Sequence, residues 1–324
     1  MVIGIIGGSG FIGTILTKRL LNRGYNVKII DKKRSRYFPE FWVNADVRDF
    51  PSLVNSLKGC EVIYNLAAEH RDCVKPRSLY WEVNVKGAEN VCSAAEKLGI
   101  KKIIFTSSVA VYGLPKRKLK NTLCVDESLE PEPFNDYGIT KLKAEEIYKR
   151  WQKRGNDRTL VIVRPTVVFG EGNRGNIYKL FKLIESGKFI MVGNGKNVRS
   201  IAYVENVAAF LEFALKFREG LYLFNYSDKP DYDMETFIQL VYQKLGKKYK
   251  RSLRLPFFPV YVATVIFNRL SSLIGYVPPI TPIKVKKFCS NACYSTSVGE
   301  VGFVPPVSLE EGIERTIKFE FLER

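Results

Sequence analysis

Short apolar runs alternate with amphipathic stretches through the first half of the chain. Each apolar run has the length of a strand, and a helical pattern of apolar residues separates it from the next. Strands that alternate with helices form a parallel sheet, because each connecting helix packs on a face of the sheet. The pattern therefore predicts a doubly wound α/β fold with strands at 2–7, 26–30, 61–67, 101–108 and 159–165.

The pattern loosens after about residue 170 into loops that contain Gly, Asn and Pro, with shorter helices between them. Near the end, Ser308 and Glu311 form a capping box that predicts a helix start within 308–317. We expect two parts from this change of pattern. The first domain covers 1–168, with 200–224 returning to it, and a smaller C-terminal substrate lobe is formed by 169–199 and 225–324.

A glycine turn follows the first predicted strand. Gly7, Gly10 and Gly13 stand in the sequence "GGSGFIG", and a helical pattern begins near Phe11 and ends at Gly24. Glycines let the backbone approach a pyrophosphate, and the helix N-terminus presents unpaired N–H groups and a partial positive charge to it. This context predicts a Rossmann-type dinucleotide site.

The second predicted strand ends in an acidic residue. Asp31 lies 31 − 13 = 18 residues after Gly13, close to the separation typical of a carboxylate that binds the ribose diol of the adenosine. The basic residues 32–34 attract a 2′-phosphate, but Asp31 repels it. The predicted cofactor is therefore NAD rather than NADP.

The stretch "NDYGITK" places Tyr137 and Lys141 four residues apart at a predicted helix start. A free phenol has a pKa of about 10 and is a poor base at neutral pH. A lysine ammonium one helical turn away, together with the charge of an oxidised nicotinamide, favours the phenolate and lowers the pKa of Tyr137. The pair alone also fits an ordinary amphipathic helix start, so the rest of the site must decide.

Six motifs stand in one order along the chain: the glycine turn, "DV" at 46–47, "NLAA" at 65–68, "SSVAVYG" at 107–113, "YGITK" at 137–141 and "RPTVVFG" at 164–170. With them the chain resembles, over essentially its whole length, the extended short-chain dehydrogenase/reductase family of sugar-nucleotide epimerases and dehydratases. The resemblance implies NAD contacts from Gly7, Gly10, Phe11, Ile12, Gly13, Asp31, Asp46, Val47, Leu66, Ala67, Ala68, Tyr137, Lys141 and Pro165.

The resemblance also assigns catalytic roles. Tyr137 is expected to take the proton from a sugar hydroxyl while hydride leaves the same carbon for NAD. Lys141 is expected to hold the nicotinamide ribose, and Ser108 to hydrogen-bond the reacting oxygen of the substrate. Its neighbour Ser107 fits that place less well.

Departures from the family pattern narrow the set of reactions that the chain is expected to catalyse. Sugar 4,6-dehydratases usually follow the hydroxyl residue with Asp and Glu, where this chain has Val109 and Ala110. Dehydration is therefore disfavoured, which leaves 4-epimerisation or simple ketone/alcohol redox. Val167 replaces a common asparagine contact to the nucleotide diphosphate. Arg199 matches an arginine that grips a substrate diphosphate, and Asn176 is a second candidate substrate contact.

A narrower resemblance rests on "LAAEHRDCVKPRSLYWEVNVKG", "NRGNIYKLFKLIESGKFIMVGNG", "NYSDKPD" and "IKVKKFC". These stretches are similar to bacterial enzymes that interconvert N-acetylglucosamine and N-acetylgalactosamine on undecaprenyl diphosphate, in surface polysaccharide (O-antigen) biosynthesis. The resemblance implies 4-epimerisation through a 4-keto intermediate. A UDP-N-acetylhexosamine 4-epimerase and a nucleotide-sugar 4-ketoreductase stay open as alternatives.

The chain has few metal ligands and no pattern of paired cysteines. Its one histidine, His70, lies near the expected nicotinamide edge, where we favour a structural hydrogen bond over catalysis. The six cysteines are scattered, at 60, 73, 92, 124, 289 and 293. We therefore expect free thiols in a reducing cytosol. We expect no metal site. The first residues already read as a strand and a glycine turn, so no signal peptide is expected.

The net charge is 51 − 33 = +18, which favours an anionic partner: nucleic acid, a phosphorylated metabolite or a membrane surface. No motif supports nucleic-acid binding. An apolar run at 257–274, interrupted by Asn268 and Arg269, is too short for a membrane span. An interfacial segment and a helix buried against the substrate lobe both remain open. We expect a cytoplasmic protein peripheral to the inner face of the membrane, with a homodimer as an open alternative.

Overall fold

The computed structural model describes residues 1–71, 74–113, 124–249, 253–273, 278 and 281–323. The strands in these ranges are β1 Val2–Ile6, β2 Asn26–Asp31, β3 Trp42–Asn44, β4 Val62–Asn65, β5 Lys102–Thr106, β6 Thr159–Pro165, β7 Val167–Phe169, β8 Met191–Val192, β9 Val198–Arg199, β10 Ile201–Tyr203, β11 Gly220–Tyr226, β12 Tyr232–Asp233 and β13 Arg254–Leu255. The α-helices are α1 Phe11–Asn22, α2 Phe50–Leu57, α3 Ser78–Tyr80, α4 Gly87–Leu98, α5 Asp136–Lys153, α6 Asn176–Glu185, α7 Val204–Phe213, α8 Met234–Lys244, α9 Phe257–Leu273, α10 Pro282–Cys289 and α11 Leu309–Ile317.

Seven strands form the main sheet, in the order β11-β6-β5-β4-β1-β2-β3. Every neighbouring pair in this sheet is parallel. The five strands predicted from the apolar runs are all present, and the predicted α/β fold is confirmed. The structure adds β3, which is too short to give a periodic signal, and β11, which pairs with β6.

Helices cover both faces of the sheet. On one face, Leu16 and Leu20 of α1 pack in a buried cluster with Phe210 of α7. On the other face, Leu53 of α2 and Trp151 of α5 belong to a second buried cluster. Because both faces are buried, the strands can be apolar along their whole length, which is the pattern seen in the sequence.

The remaining strands form three short pairs outside the main sheet, in which β10 pairs with β7, β12 with β9, and β13 with β8. A third buried cluster joins Phe181 of α6, Val241 of α8 and Ile313 of α11. We keep the division into a domain of 1–168 with 200–224, and a lobe of 169–199 with 225–324, as a proposal.

The predicted helix ends agree with the structure at two places. Helix α1 begins at Phe11, and Gly24 just beyond its end has a φ of 78°, a conformation that glycine adopts without strain. Helix α11 is capped by Ser308, whose Oγ accepts a hydrogen bond from the backbone N–H of Glu311 at 3.1 Å. The capping box therefore marks a real helix start.

The expectation of free thiols is wrong for one pair of cysteines. Cys124 and Cys293 form a disulfide across a sequence separation of 169 residues. The backbone N–H of Val125 donates to the carbonyl of Cys293 at 2.9 Å, and this contact brings the two side chains together. Sequence spacing carries no sign of such a long-range approach. Cys60, Cys92 and Cys289 are free, and Cys73 lies outside the described residues.

The apolar run near 257–274 forms α9, and most of its large side chains are exposed. The exposed fraction is 71% for Phe258, 53% for Phe267 and 58% for Leu270. A helix buried against the substrate lobe would hide these side chains, so that alternative is wrong for this face of α9. Within the described ranges, no helix has both the length and the apolar character that crossing a membrane requires.

Candidate active site

The glycine turn connects β1 to α1 at the carboxyl end of the strand. Gly7 has a φ of 78°, and a Cβ atom placed on it would lie 2.6 Å from the backbone nitrogen of Ala67. A Cβ atom on Gly13 would lie 2.6 Å from the Cα atom of Gly8. Both positions therefore require glycine, the first for its conformation and both for the close approach of backbone to backbone.

The N-terminus of α1 opens onto this turn. Its N-cap residue is Gly10, and no side chain caps the helix. The first backbone N–H groups of a helix have no acceptor within the helix, and they carry the positive end of its dipole. The N–H groups of Phe11, Ile12 and Gly13 therefore suit a phosphate. This cradle without side chains fits the pyrophosphate of NAD.

Asp31 closes the turn from the end of β2. Its carboxylate accepts hydrogen bonds from the backbone N–H of Ser9 at 3.1 Å and of Lys33 at 2.9 Å. Each bond uses a different carboxylate oxygen, and each oxygen keeps acceptor capacity for a further donor. This placement beside the glycine turn fits a ribose diol.

The other predicted cofactor residues lie at or just beyond strand ends of the main sheet. Asp46 accepts hydrogen bonds from Arg48, and that contact holds the pKa of Asp46 below its usual range although partial burial opposes it. Val47 is buried, and its side chain lies 3.0 Å from the Cβ position of Gly87. The remaining members follow β4 or end β6, and they are Leu66, Ala67, Ala68 and Pro165. The carboxyl edge of a parallel sheet brings such positions to one crevice.

Tyr137 lies in the first turn of α5. Asn135 caps this helix by accepting a hydrogen bond from the backbone N–H of Gly138 at 2.9 Å. Burial raises the pKa of Tyr137, and a hydrogen bond with the hydroxyl of Ser108 opposes that rise. The structure therefore brings Tyr137 and Ser108 together, as the motifs predict. The protein's own groups do not give the lowered pKa of Tyr137 that we expected from Lys141.

Lys141 points back toward the sheet from one turn further along α5. Its side chain is 2% exposed, and its Nζ donates to the carbonyl oxygen of Thr106 at 2.7 Å. Nζ also lies 4.6 Å from the ring centroid of Phe105. Burial lowers the pKa of Lys141 to about 7, while the carboxylate of Glu145 acts in the opposite direction. Lys141 is thus anchored to β5, and its proton is held weakly for a lysine.

The two serines after β5 have different partners. The Oγ of Ser108 accepts a hydrogen bond from the backbone N–H of Ala110 at 3.1 Å, which caps the 3₁₀ turn Val109–Tyr112. The Oγ of Ser107 donates to the buried carboxylate of Glu145 at 2.6 Å. Ser108 is therefore the serine that faces Tyr137, while Ser107 is held by another group.

The predicted substrate residues are not all brought together. Arg199 donates from Nη2 to the carbonyl of Lys287 at 2.8 Å, and burial lowers its pKa. Its Nε is buried and has no hydrogen-bond partner in the described part of the chain. Asn176 is exposed at the start of α6, and no hydrogen bond joins it to Arg199 among the described residues. The structure offers Arg199, more than Asn176, as a partly buried cation that suits an anion.

His70 differs from its prediction. Its side chain is exposed, and it makes no hydrogen bond with any described residue. It lies in the loop beyond β4, outside the buried core, where the neighbouring Glu69 binds Arg71 instead. The structural hydrogen bond that we expected for His70 is therefore not present within the described ranges.

A buried ion pair that was not predicted lies behind the site. Glu145 of α5 is 0% exposed and Arg164 of β6 is 1% exposed, and they form an ion pair at 2.6 Å. A signal for both was available. Glu145 follows Lys141 by one helical turn, and Arg164 interrupts an apolar strand, where a charge requires a partner.

Comparisons with known proteins agree with this geometry. Residues 3–222 match the NAD dependent epimerase/dehydratase family. The chain is also 44% identical over 98% of its length to the N-acetyl-alpha-D-glucosaminyl-diphospho-ditrans,octacis-undecaprenol 4-epimerase of Escherichia coli O157:H7, of which the match covers 95%. It is 30% identical, over 85% of its length and 66% of the relative, to a 3beta-hydroxysteroid-dehydrogenase/decarboxylase of Arabidopsis thaliana.

Solved structures show the same fold. A UDP-glucose 4-epimerase of Thermotoga maritima with UDP-glucose superposes with a TM-score of 0.77 at 20% identity, over 98% of each chain. A UDP-glucuronic acid 4-epimerase of Bacillus cereus in complex with NAD gives 0.74 at 22% identity, over 98% of each chain. At these identities the likeness concerns the fold alone.

The chain belongs to the NAD-dependent epimerase/dehydratase family. The fold, the glycine turn and the match over 3–222 establish the class, and the expectations of an enzyme and of NAD as its cofactor are confirmed.

Proposed function

We propose that this enzyme is a sugar 4-epimerase that interconverts N-acetylglucosamine and N-acetylgalactosamine on undecaprenyl diphosphate, in the synthesis of a surface polysaccharide such as O-antigen. One observation carries the proposal. The identity of 44% to the E. coli undecaprenol-linked 4-epimerase extends over 98% of this chain and 95% of that enzyme. A match of this length includes the substrate lobe as well as the cofactor domain.

The roles proposed for the catalytic residues come from the family resemblance, and the contact between Tyr137 and Ser108 supports them. Tyr137 takes the proton of the sugar C4 hydroxyl, while Ser108 holds the oxygen of that hydroxyl. Tyr137 returns the proton after the 4-keto intermediate has rotated in the site. Bound NAD supplies an acceptor for the C4 hydride. Lys141 binds the nicotinamide ribose. The reaction ends with the same redox state in which it began.

Arg199 supports a diphosphate substrate. A partly buried guanidinium that has no carboxylate partner among the described residues is costly, because burial removes part of its hydration. The lowered pKa and the unpartnered Nε of Arg199 are signs of that cost. A diphosphate supplies both the negative charge and the acceptor atoms that the site lacks. We assign Arg199 to this role, with Asn176 as a secondary candidate.

Helix α9 supports a lipid-linked carrier rather than a nucleotide-linked one. Large exposed apolar side chains on one helix are unusual for a protein that meets only water. Cations lie on both sides of α9 in the sequence, at Arg254 before it and Lys286 after it, and Arg251 lies outside the described residues. Each basic residue near an anionic leaflet adds about 1 kcal/mol of attraction. We therefore place the enzyme at the inner face of the cytoplasmic membrane.

The direct test compares carriers. Purified enzyme is incubated in parallel with N-acetylglucosamine on undecaprenyl diphosphate, in detergent or vesicles, and with UDP-N-acetylglucosamine, and the released sugars are separated by chromatography. We expect N-acetylgalactosamine from the lipid-linked substrate at the higher kcat/KM. Faster turnover of the UDP sugar would establish the nucleotide-sugar 4-epimerase instead, and a net alcohol product that consumes NADPH would establish a ketoreductase.

A further inference from the structure

A buried ion pair lies directly behind the proposed catalytic residues. Arg164 donates from Nε to Oε1 of Glu145 at 2.8 Å and from Nη2 to Oε2 at 2.6 Å. Both side chains are almost completely buried. Two parallel hydrogen bonds between a guanidinium and a carboxylate fix the orientation of both groups. The pair therefore forms a rigid link between α5 and β6.

The ion pair holds both ends of the turn that carries Ser108. At one end, Ser107 donates from Oγ to Oε1 of Glu145 at 2.6 Å. At the other end, Arg164 donates from Nη1 to the phenol oxygen of Tyr112 at 2.7 Å. Ser108 lies between these two attachment points, and its own Oγ accepts from a backbone N–H within the turn. A shift of Glu145 is thus expected to move Ser108.

The charge of the same carboxylate also acts on Lys141. Glu145 lies one helical turn beyond Lys141 on α5, and it is the charged group that favours the protonated form of that lysine. Among the described residues, Lys141 contacts β5 at the carbonyl of Thr106 and the ring of Phe105.

The other cations near Glu145 are Arg164 from β6 and Lys149, whose Nζ lies 3.8 Å from Oε2. Arg164 is neutralised by Glu145.

We propose that Glu145 is a positioning residue of the active site, which acts on Ser108 through Ser107 and Arg164 and on Lys141 across one turn of α5. The proposal concerns proton and hydride transfer and does not depend on which carrier holds the sugar. The assays therefore use the carrier that the wild-type protein turns over fastest, so an error in the carrier assignment leaves this test intact.

The first test separates positioning from folding. Ser107→Ala removes the contact between the turn and Glu145 but keeps the ion pair, so this variant is expected to fold. We expect kcat to fall about tenfold, the equivalent of one lost hydrogen bond, with KM and NAD content unchanged. Glu145→Gln is expected to lower kcat at least as much.

The double variant tests the connection between the two residues. Because Glu145 acts through Ser107, Ser107→Ala is expected to cost little when Glu145→Gln is already present. Independent losses that multiply in the double variant would contradict the proposed connection. If Glu145→Gln does not fold, unchanged kcat in Ser107→Ala alone overturns the proposal.

The pH profile of kcat distinguishes a positioning role of Glu145 from a structural role, because a structural role alone would not shift the profile. Without the negative charge of Glu145, Lys141 loses its proton at a lower pH, so the alkaline limb of kcat is expected to shift to lower pH. Glu146→Gln, an adjacent residue paired with Lys143 at the surface, is the matched control and should leave the limb in place. If the alkaline limb of kcat does not move in folded Glu145→Gln, the proposed action of Glu145 on Lys141 is overturned.

Discussion

The three residues assigned to proton transfer are held in different ways. Lys141 is buried and anchored to a strand carbonyl. Tyr137 is half-buried on a capped helix, and Ser108 lies in a 3₁₀ turn whose geometry depends on its neighbours. The lysine is therefore fixed by the strand, while the tyrosine and the serine are joined by a hydrogen bond to each other. This difference predicts which substitutions change the chemistry without changing the fold.

Replacement of Tyr137 by Phe removes the acid/base group and leaves the ring. We expect the rate of epimerisation to fall by about 10² to 10⁴, the usual contribution of general acid–base catalysis. Bound NAD and the thermal unfolding midpoint should stay near their wild-type values. The check is a turnover assay together with NAD content measured on the same preparation.

Tyr25→Phe is the matched control, because Tyr25 precedes β2 at the opposite end of the strand from Asp31. Its turnover should equal that of the wild type. Near wild-type turnover in Tyr137→Phe would move the proton transfer to another residue. A greater loss in Ser107→Ala than in Ser108→Ala would exchange the roles of the two serines.

The sequence predicted the catalytic groups from their motifs and missed a contact between two other residues. Tyr137, Lys141 and Ser108 each belong to a stretch with a fixed spacing. Arg164 also opens a motif and Glu145 follows Lys141 by one helical turn, but their pairing depends on how α5 packs against β6. The sequence also did not predict that the pKa of Tyr137 is raised, because this shift depends on burial.

At the scale of elements, the helices and strands with strong periodicity were predictable. The five apolar runs became strands, and the caps of α1 and α11 lie where the residues indicate. Strand β3 has three residues and gives too short a signal. Helix α9 shows the opposite case, since its apolar composition alone does not tell whether packing or an outside surface covers it.

Helix α9 carries the prediction of membrane docking. The wild-type protein should sediment with anionic liposomes, and less so in high salt, because both the apolar face and the cations contribute. A variant with Ser at Phe258, Phe267 and Leu270 should lose binding to the liposomes. Sedimentation at two salt concentrations measures the effect.

The matched control places Ser at Phe319 and Leu322, which are each 53% exposed near the C-terminus. This variant has fewer exposed apolar side chains but an unchanged α9, and it should bind as the wild type does. Equal loss in both variants would mean that general hydrophobicity, not α9, drives the binding. Wild-type protein that does not sediment with the liposomes would contradict the proposed docking at the membrane.

At the scale of the whole molecule, the long-range contacts could not be predicted. The disulfide between Cys124 and Cys293 joins residues that are 169 positions apart. The return of 200–224 to the first domain was expected, but the pairing of β11 with β6 was not. By contrast, family, fold and cofactor were predictable, because six ordered motifs each report a local backbone geometry.

The net charge of +18 is a property of the whole surface. It suits a substrate with a diphosphate and an anionic membrane equally, so it supports the proposed setting without choosing the substrate. The choice rests on the reaction itself.

The central claim is that one hydride leaves C4 of the sugar and returns to the same carbon. The most direct measurement uses undecaprenyl-diphospho-N-acetylglucosamine labelled with deuterium at C4, incubated with the enzyme and its bound NAD without added reductant. We expect N-acetylgalactosamine that retains the deuterium at C4. A product with solvent hydrogen at C4, or no epimer until a stoichiometric reductant is supplied, would contradict it.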